Sequence, residues 1–177
     1  MDDEKVAFPM FERALELGIT NIAIHKALPI GPAPAEPFRV EDVVGAAAAF
    51  PDIDFQIVHG GLAFLDESAQ LLHRFPNVHM NLEVTMSYVL TRPQLFARAI
   101  GELLYWGSPR QLIFASGYNI IHPKPLVDAF LAFEMPTELT ADGSFPALTG
   151  DDKALILGGN MARLHRLEPS TVSAGGV

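Results

Sequence analysis

The chain contains no cysteine, few basic residues and no long apolar run, and each absence excludes a class of protein. Disulfides and thiolate metal ligands are excluded. The 12 Lys and Arg face 21 Asp and Glu, and the net charge of −9 argues against a nucleic-acid partner, because phosphate binding needs clustered cations. No apolar stretch approaches the roughly 20 residues of a membrane span and no leader opens the chain, so we expect a cytoplasmic protein without membrane contact.

Familiar catalytic motifs are also missing. There is no Gly-x-Ser-x-Gly elbow, no phosphate-binding loop and no full dinucleotide fingerprint. The composition, with 49% hydrophobic and 19% charged residues, is that of a packed globular protein. We expect one domain over residues 1–168 and a flexible, small and polar tail over residues 169–177.

Four short apolar runs are each followed by a helical pattern. They cover residues 21–25, 53–59, 78–83 and 112–116. Strands that alternate with helices predict an α/β fold with a parallel sheet, in which chemistry collects just beyond the carboxyl ends of the strands. His25, His59 and Glu83 all stand at that position.

The helical patterns complete the prediction. Helices are expected around residues 10–17, 40–48, 66–75 with Asp66 as N-cap, 93–106 and 125–133, with irregular structure over 134–150. A terminal helix pair is expected to break at Gly158-Gly159, where Asn160 would cap the second helix. Four parallel strands form either part of an open sheet or half of an eight-stranded barrel.

Five segments resemble those of a known family. They are Ile24-His25-Lys26, Val58-His59-Gly60-Gly61, residues 76–83, Phe114-Ala115-Ser116-Gly117-Tyr118 and residues 156–164. In this order and spacing the chain resembles the amidohydrolase-related (amidohydrolase 2) family of metal-dependent TIM-barrel hydrolases and decarboxylases. The resemblance implies the C-terminal half of a (β/α)8 barrel, with the strand of His25 as the fifth.

The resemblance also implies roles for particular residues. His25 would bind a divalent metal, of which Zn is the first candidate, and His59 would act as the catalytic acid or base. Neutral imidazole suits both tasks. Glu83, because it stands at the end of its strand, is a further candidate catalytic carboxylate. The implied reaction is hydrolysis, or non-oxidative decarboxylation, of a small carboxylated or cyclic organic molecule.

Two departures from the family pattern matter. The eighth strand of the family normally ends in an aspartate, and Gly117 stands in the matching place. The His-x-His pair of the first strand has no counterpart, because the chain begins at what would be the helix after strand four. A second chain, an N-terminal half or a second copy could complete the barrel, or the site could have decayed. We favour completion by another half, because strands with apolar faces need a closed core.

Each candidate residue also has a structural interpretation. Lys26 could contact a substrate anion, but alternation turns it away from His25 and towards solvent. His122 could bind substrate or simply mark a helix entry, and Glu83 could form a structural ion pair. Two further hypotheses remain: a non-catalytic half-barrel that serves as a subunit or scaffold, and an open α/β sheet that binds a small molecule without metal.

Overall fold

The computed structural model describes residues 1–168, so the predicted tail lies outside the described residues. Its centre is one sheet of four parallel strands that follow one another in chain order. The strands are β1 (Asn21–His25), β2 (Asp54–Val58), β3 (Val78–Asn81) and β4 (Leu112–Ile113). The prediction of four parallel strands alternating with helices is confirmed, although β4 is shorter than the apolar run that predicted it.

Helices connect the strands and follow the last of them. They are α1 (Ala7–Glu16), α2 (Val43–Ala49), α3 (Leu65–Arg74), α4 (Tyr88–Thr91), α5 (Pro93–Trp106), α6 (Pro123–Ala132), α7 (Thr137–Thr140), α8 (Gly150–Ala154) and α9 (Asn160–Leu164). Helix α5 has the predicted bounds, with proline in its first turn. The N-cap of α3 is Phe64 in the left-handed conformation rather than Asp66, which lies in the first turn. Within residues 1–168, no helix is long and apolar enough to cross a bilayer.

The predicted break at Gly158-Gly159 is wrong. A π-helical turn, Leu155–Gly159, joins α8 directly to α9. Asn160 is fully buried and does not cap a helix. Its amide nitrogen donates instead to the carbonyl oxygens of Pro109 and Leu112, both at 2.7 Å.

One face of the sheet, here the outer face, packs against the helices. Phe55, Ile57 and Met80 on this face are completely buried. The Phe55 ring lies 5.3 Å from that of Phe11 in α1, which shows that α1 covers β2. Burial of this apolar face supplies the main favourable free energy of folding.

The opposite face, here the inner face, is polar. The register places Asn21, Asp54, Gln56, His79 and Asn81 on it. His79 Nε2 lies 2.9 Å from Asp54 Oδ1, and the Asn81 amide donates to Gln56 Oε1 at 3.4 Å. These polar groups partly satisfy one another, on a face that also carries Ala23, Val58 and Ile113.

Side-chain amides tie the amino ends of the strands to the preceding units. The Asn77 amide donates to the carbonyl oxygens of Ala47, Phe50 and Ile53 at 3.1–3.2 Å. The Gln111 amide does the same for Leu72, Phe75 and Val78 at 3.0–3.1 Å. The Asn77 amide thus binds carbonyls from the end of α2 and the turn after it, and the Gln111 amide binds carbonyls from the end of α3, the turn after it and the start of β3.

The terminal helices, α8 and α9, cover the side of β4 that faces away from β3. The Phe114 N–H donates to the Ile156 carbonyl at 2.9 Å, and Asn160 binds the Leu112 carbonyl. The far end of the same segment reaches β1, where the Asn21 amide donates to the Leu164 carbonyl at 2.8 Å. The sheet is thus protected on the β4 side, where an unpaired strand edge would otherwise invite pairing.

Asn160→Ala is expected to lower the free energy of unfolding by about 1–3 kcal/mol, because it leaves two carbonyls without their donor in a buried place. Urea denaturation measures the change. Asn119, whose side chain is exposed, provides the control, since Asn119→Ala should change stability by less than about 0.5 kcal/mol. Equal effects of the two variants would contradict the assigned role of Asn160.

Candidate active site

Each strand is followed closely by a residue in the left-handed conformation. These residues are Ala27 (φ 59°), His59 (φ 67°), Val84 (φ 62°) and Gly117 (φ 60°). Positive φ is unusual for non-glycine residues, and for a β-branched residue such as Val84 it is a genuine outlier. Such strain persists only where the surrounding structure holds it, and it clusters at functional sites.

The strain at Val84 belongs to a tight turn. The Thr85 N–H donates to the Glu83 carbonyl at 2.7 Å, and Val84 between them has φ 62° and ψ −45°. This is a γ-turn of the rare, strained type. A further bond runs from the Glu83 N–H to Asn81 Oδ1 at 3.1 Å. The backbone of Glu83 is therefore held on both sides.

His59 and Glu83 form a close pair at this edge. His59 Nδ1 lies 2.5 Å from Glu83 Oε2 and 3.3 Å from the Glu83 carbonyl oxygen. Both neighbours of Nδ1 are acceptors when the carboxylate is ionised, so Nδ1 carries the proton. The lone pair is then on Nε2, the arrangement by which a carboxylate orients an imidazole for proton transfer.

Burial decides the charge of His59. The side chain is 9% exposed, and desolvation lowers the pKa of His59 below its ordinary value of 6.5. The Glu83 carbonyl and carboxylate raise the pKa in opposition, while His25 lowers it further. Desolvation is the largest effect, so the imidazole is neutral near pH 7 and able to accept a proton.

His25 ends β1 beside this pair. Its ring lies 4.7 Å from the His59 ring, centroid to centroid, at 87°, and 5.7 Å from the Phe38 ring. The side chain is exposed. An exposed imidazole is accessible to a metal ion. One imidazole is not a metal site, however, and within residues 1–168 no group of three or more His, Cys, Asp or Glu side chains is arranged to hold a metal.

The structure does not place Lys26 with these residues. The side chain is 8% exposed, and Nζ donates to the Pro37 carbonyl at 2.7 Å and to Asp42 Oδ2 at 2.8 Å. Nζ is buried against these acceptors, and Asp42 Oδ2 also lies 2.7 Å from the amino group of Met1, so neither the predicted contact with a substrate anion nor the solvated position is supported. The reason is the loop after β1, which folds back over Lys26.

His122 lies at the start of a helix, as the structural alternative to substrate binding predicted. It is the N-cap of α6, and Nδ1 accepts from the Lys124 N–H at 3.2 Å. Its exposed ring packs against Tyr118 at 5.7 Å between centroids. Substrate contact by His122 therefore stays a prediction.

Sequence reasoning missed Val84 and Asp54. A valine gives no signal for a left-handed turn, since its β-branch disfavours one. Asp54, the partner of His79, could have been found from the alternation of polar and apolar residues along β2, which places Asp54 and Gln56 together on one face.

Comparisons with known proteins agree with this architecture. The model of the family described as Amidohydrolase matches residues 2–167. An uncharacterized TIM-barrel protein from Bordetella bronchiseptica matches at 20% identity and a TM-score of 0.68, over 93% of this chain and 51% of its own. No curated protein matches the chain.

Two decarboxylases also match in structure. The 5-carboxyvanillate decarboxylase from Sphingomonas paucimobilis has 16% identity and a TM-score of 0.52, over 90% of this chain and 53% of its own. The 2,6-dihydroxybenzoate decarboxylase from Rhizobium has 15% identity and a TM-score of 0.51, over 89% and 54%.

The chain spans about half the length of these solved structures, which confirms that its fold is that of half a TIM barrel. The family model covers nearly all of the sequence. The chain therefore belongs to the amidohydrolase family.

Proposed function

We propose that the chain is one half of a metal-dependent hydrolase or non-oxidative decarboxylase, in which His59 and Glu83 handle the proton. The observation that carries the proposal is the contact of Glu83 with Nδ1 of a buried, neutral His59 at the carboxyl edge of the sheet. Strained residues beside both side chains support it, because such strain is retained where function needs a fixed geometry.

The proposed role of His59 follows from its tautomer. Nε2 takes a proton from water or substrate while Glu83 stabilises the resulting imidazolium. In a hydrolysis the water oxygen bonds to the carbonyl carbon, the bond from that carbon to the leaving nitrogen or oxygen breaks, and the proton on Nε2 passes to the leaving atom. In a decarboxylation the bond between the substrate ring carbon and its carboxylate carbon breaks, carbon dioxide leaves, and the ring carbon takes the proton from Nε2. The lowered pKa of His59 keeps the imidazole neutral, which favours its use as a proton acceptor in the hydrolysis.

His25 is proposed as one ligand of a divalent metal, with Zn as the first candidate. When bound, such a metal polarises a carbonyl or activates water. A catalytic zinc typically has three protein ligands, so a second chain or a second copy is proposed to supply the others. The substrate is proposed to be a small carboxylated or cyclic molecule, since two structural neighbours are decarboxylases of aromatic acids by name.

The alternative is a non-catalytic half-barrel that serves as a subunit or scaffold. The observation in its favour is that residues 1–168 contain no group of three metal-ligating side chains. The two proposals differ in whether the assembled protein binds metal.

Native mass spectrometry of protein purified without chelator should show a complex with a second chain or second copy and a bound divalent metal. His25→Ala should lose the metal and keep the complex. His73, exposed on α3, offers the control, since His73→Ala should keep both. A metal-free monomer would contradict the metalloenzyme proposal.

His59→Gln in the assembled protein should reduce turnover by about 10²–10⁴-fold, the usual contribution of a general acid or base. Release of carbon dioxide from 2,6-dihydroxybenzoate and 5-carboxyvanillate, and hydrolysis of simple amides and lactones, are the assays. His73→Gln should retain full turnover. If His59→Gln and His25→Ala both retained it as well, the proposed site would be wrong.

Val84→Gly should raise the free energy of unfolding by about 1 kcal/mol, because relief of the left-handed strain exceeds the entropic cost of glycine. Activity should fall, since the turn that fixes Glu83 is loosened. The matched control is Val58→Gly in β2, equally half-buried but with ordinary backbone, which should destabilise the chain. A loss of stability in Val84→Gly equal to that control would show that the turn is not strained.

A further inference from the structure

The space beside Gly117 is filled by the carboxylate of Glu83. A Cβ built on Gly117 would lie 2.6 Å from Glu83 Oε1 and 3.3 Å from its Cδ, and real Cβ atoms essentially never approach another atom within 3.0 Å. Of the described glycines, Gly117 is the one whose added Cβ would meet a carboxylate. A side chain at residue 117 and the present position of Glu83 therefore exclude each other.

The same carboxylate reaches His59 with its other oxygen. Oε1 lies against Gly117 while Oε2 lies 2.5 Å from His59 Nδ1. The two oxygens are rigidly joined, so any group that displaces Oε1 also moves Oε2. The contact between Glu83 and His59 thus depends on the absence of a side chain in the loop after β4.

The backbone of Glu83 is fixed, so an added Cβ at residue 117 would displace the end of the Glu83 side chain. The Glu83 N–H is bonded to Asn81 Oδ1 and its carbonyl to the Thr85 N–H, and Val84 follows in a strained turn. A shift of the backbone would break these bonds. The side chain can avoid an added Cβ only by rotating, and rotation removes the carboxylate from Nδ1.

We propose that Gly117 is a positioning residue: its bare backbone makes the space in which the Glu83 carboxylate lies against Nδ1 of the His59 ring. The catalytic meaning of this arrangement rests on the proposed function, whereas the arrangement itself does not. Gly117 acts through Glu83 and touches no substrate. It also explains how a carboxylate from the loop after β3 can serve an imidazole from the end of β2.

The first test compares Gly117→Ala with Gly143→Ala in the full 177-residue chain. Both glycines have positive φ, 60° and 77°, so both substitutions introduce similar backbone strain. Nothing lies within 4 Å of an added Cβ at Gly143, so only Gly117→Ala also displaces the carboxylate. Unfolding by urea should show the penalty for Gly117→Ala to exceed that for Gly143→Ala by about tenfold in the unfolding equilibrium constant.

A spectroscopic measurement separates positioning from mere destabilisation. The ring ¹⁵N signals of histidine-labelled protein at one neutral pH, with His59 assigned through His59→Gln, report which nitrogen carries the proton. The native chain and Gly143→Ala should show the Nδ1–H tautomer at His59. In Gly117→Ala the Nδ1 signal of His59 should shift, because the carboxylate leaves Nδ1, while the Glu83 carbonyl still accepts from it. An Nδ1 signal that stays at its native position in Gly117→Ala would overturn the proposal.

Rescue provides the second test. In a Glu83→Ala background the excess penalty of Gly117→Ala should vanish, and in a Glu83→Asp background, where the carboxylate is one methylene shorter, it should shrink. If Gly117→Ala alone fails to fold, the double variant Glu83→Ala/Gly117→Ala should fold again. An excess penalty that is independent of residue 83, or a double variant that remains unfolded, would overturn the proposal. None of these measurements needs metal or substrate, so failure of the proposed enzyme function would leave the result intact.

Discussion

The parallel direction of all four strands is the constraint on which the molecule depends. Since the strands are parallel and follow one another in chain order, each connection must cross from the carboxyl end of one strand to the amino end of the next. All four strands therefore begin at one edge of the sheet, the amino edge, and end at the other, the carboxyl edge. The two edges are built differently. The side-chain amides of Asn77, Gln111 and Asn160 tie the amino edge together, whereas residues with positive φ and titratable side chains lie at the carboxyl edge. The residues that stabilise the sheet thus lie at the amino ends of the strands, and the candidate catalytic residues lie at the carboxyl ends.

Much of this architecture could be predicted from local pattern, because periodicity acts within one element. Apolar runs located all four strands, and the helical spacing after Pro93 gave the bounds of α5. The position of His25, His59 and Glu83 at one edge followed from parallel topology. The alternation of apolar and polar residues in Val78-His79-Met80-Asn81 also indicates which residues lie on the polar inner face.

What could not be predicted depends on contacts between distant residues. The pairing of Glu83 with His59 joins two loops, and the role of Asn160 joins the terminal helix to a strand 48 residues earlier. Val84 adopts a conformation that its residue type disfavours, so only the surrounding bonds explain it. Gly117 is instructive in a different way. In the sequence, Gly117 stands where the family normally has an aspartate. In the structure, the carboxylate of Glu83 occupies the space beside Gly117 that a side chain there would fill.

These contacts decide which residues at the carboxyl edge are placed for proton transfer and which for metal binding. A proton-handling pair needs two groups held at hydrogen-bond distance, and residues from adjacent units of one sheet, His59 and Glu83, provide it. A metal needs ligands that converge from several directions, and a sheet of four strands presents His25 from one side only. Under the proposed function, this half of the barrel supplies the proton-transfer pair and one metal ligand, and the completing half supplies the remaining metal ligands.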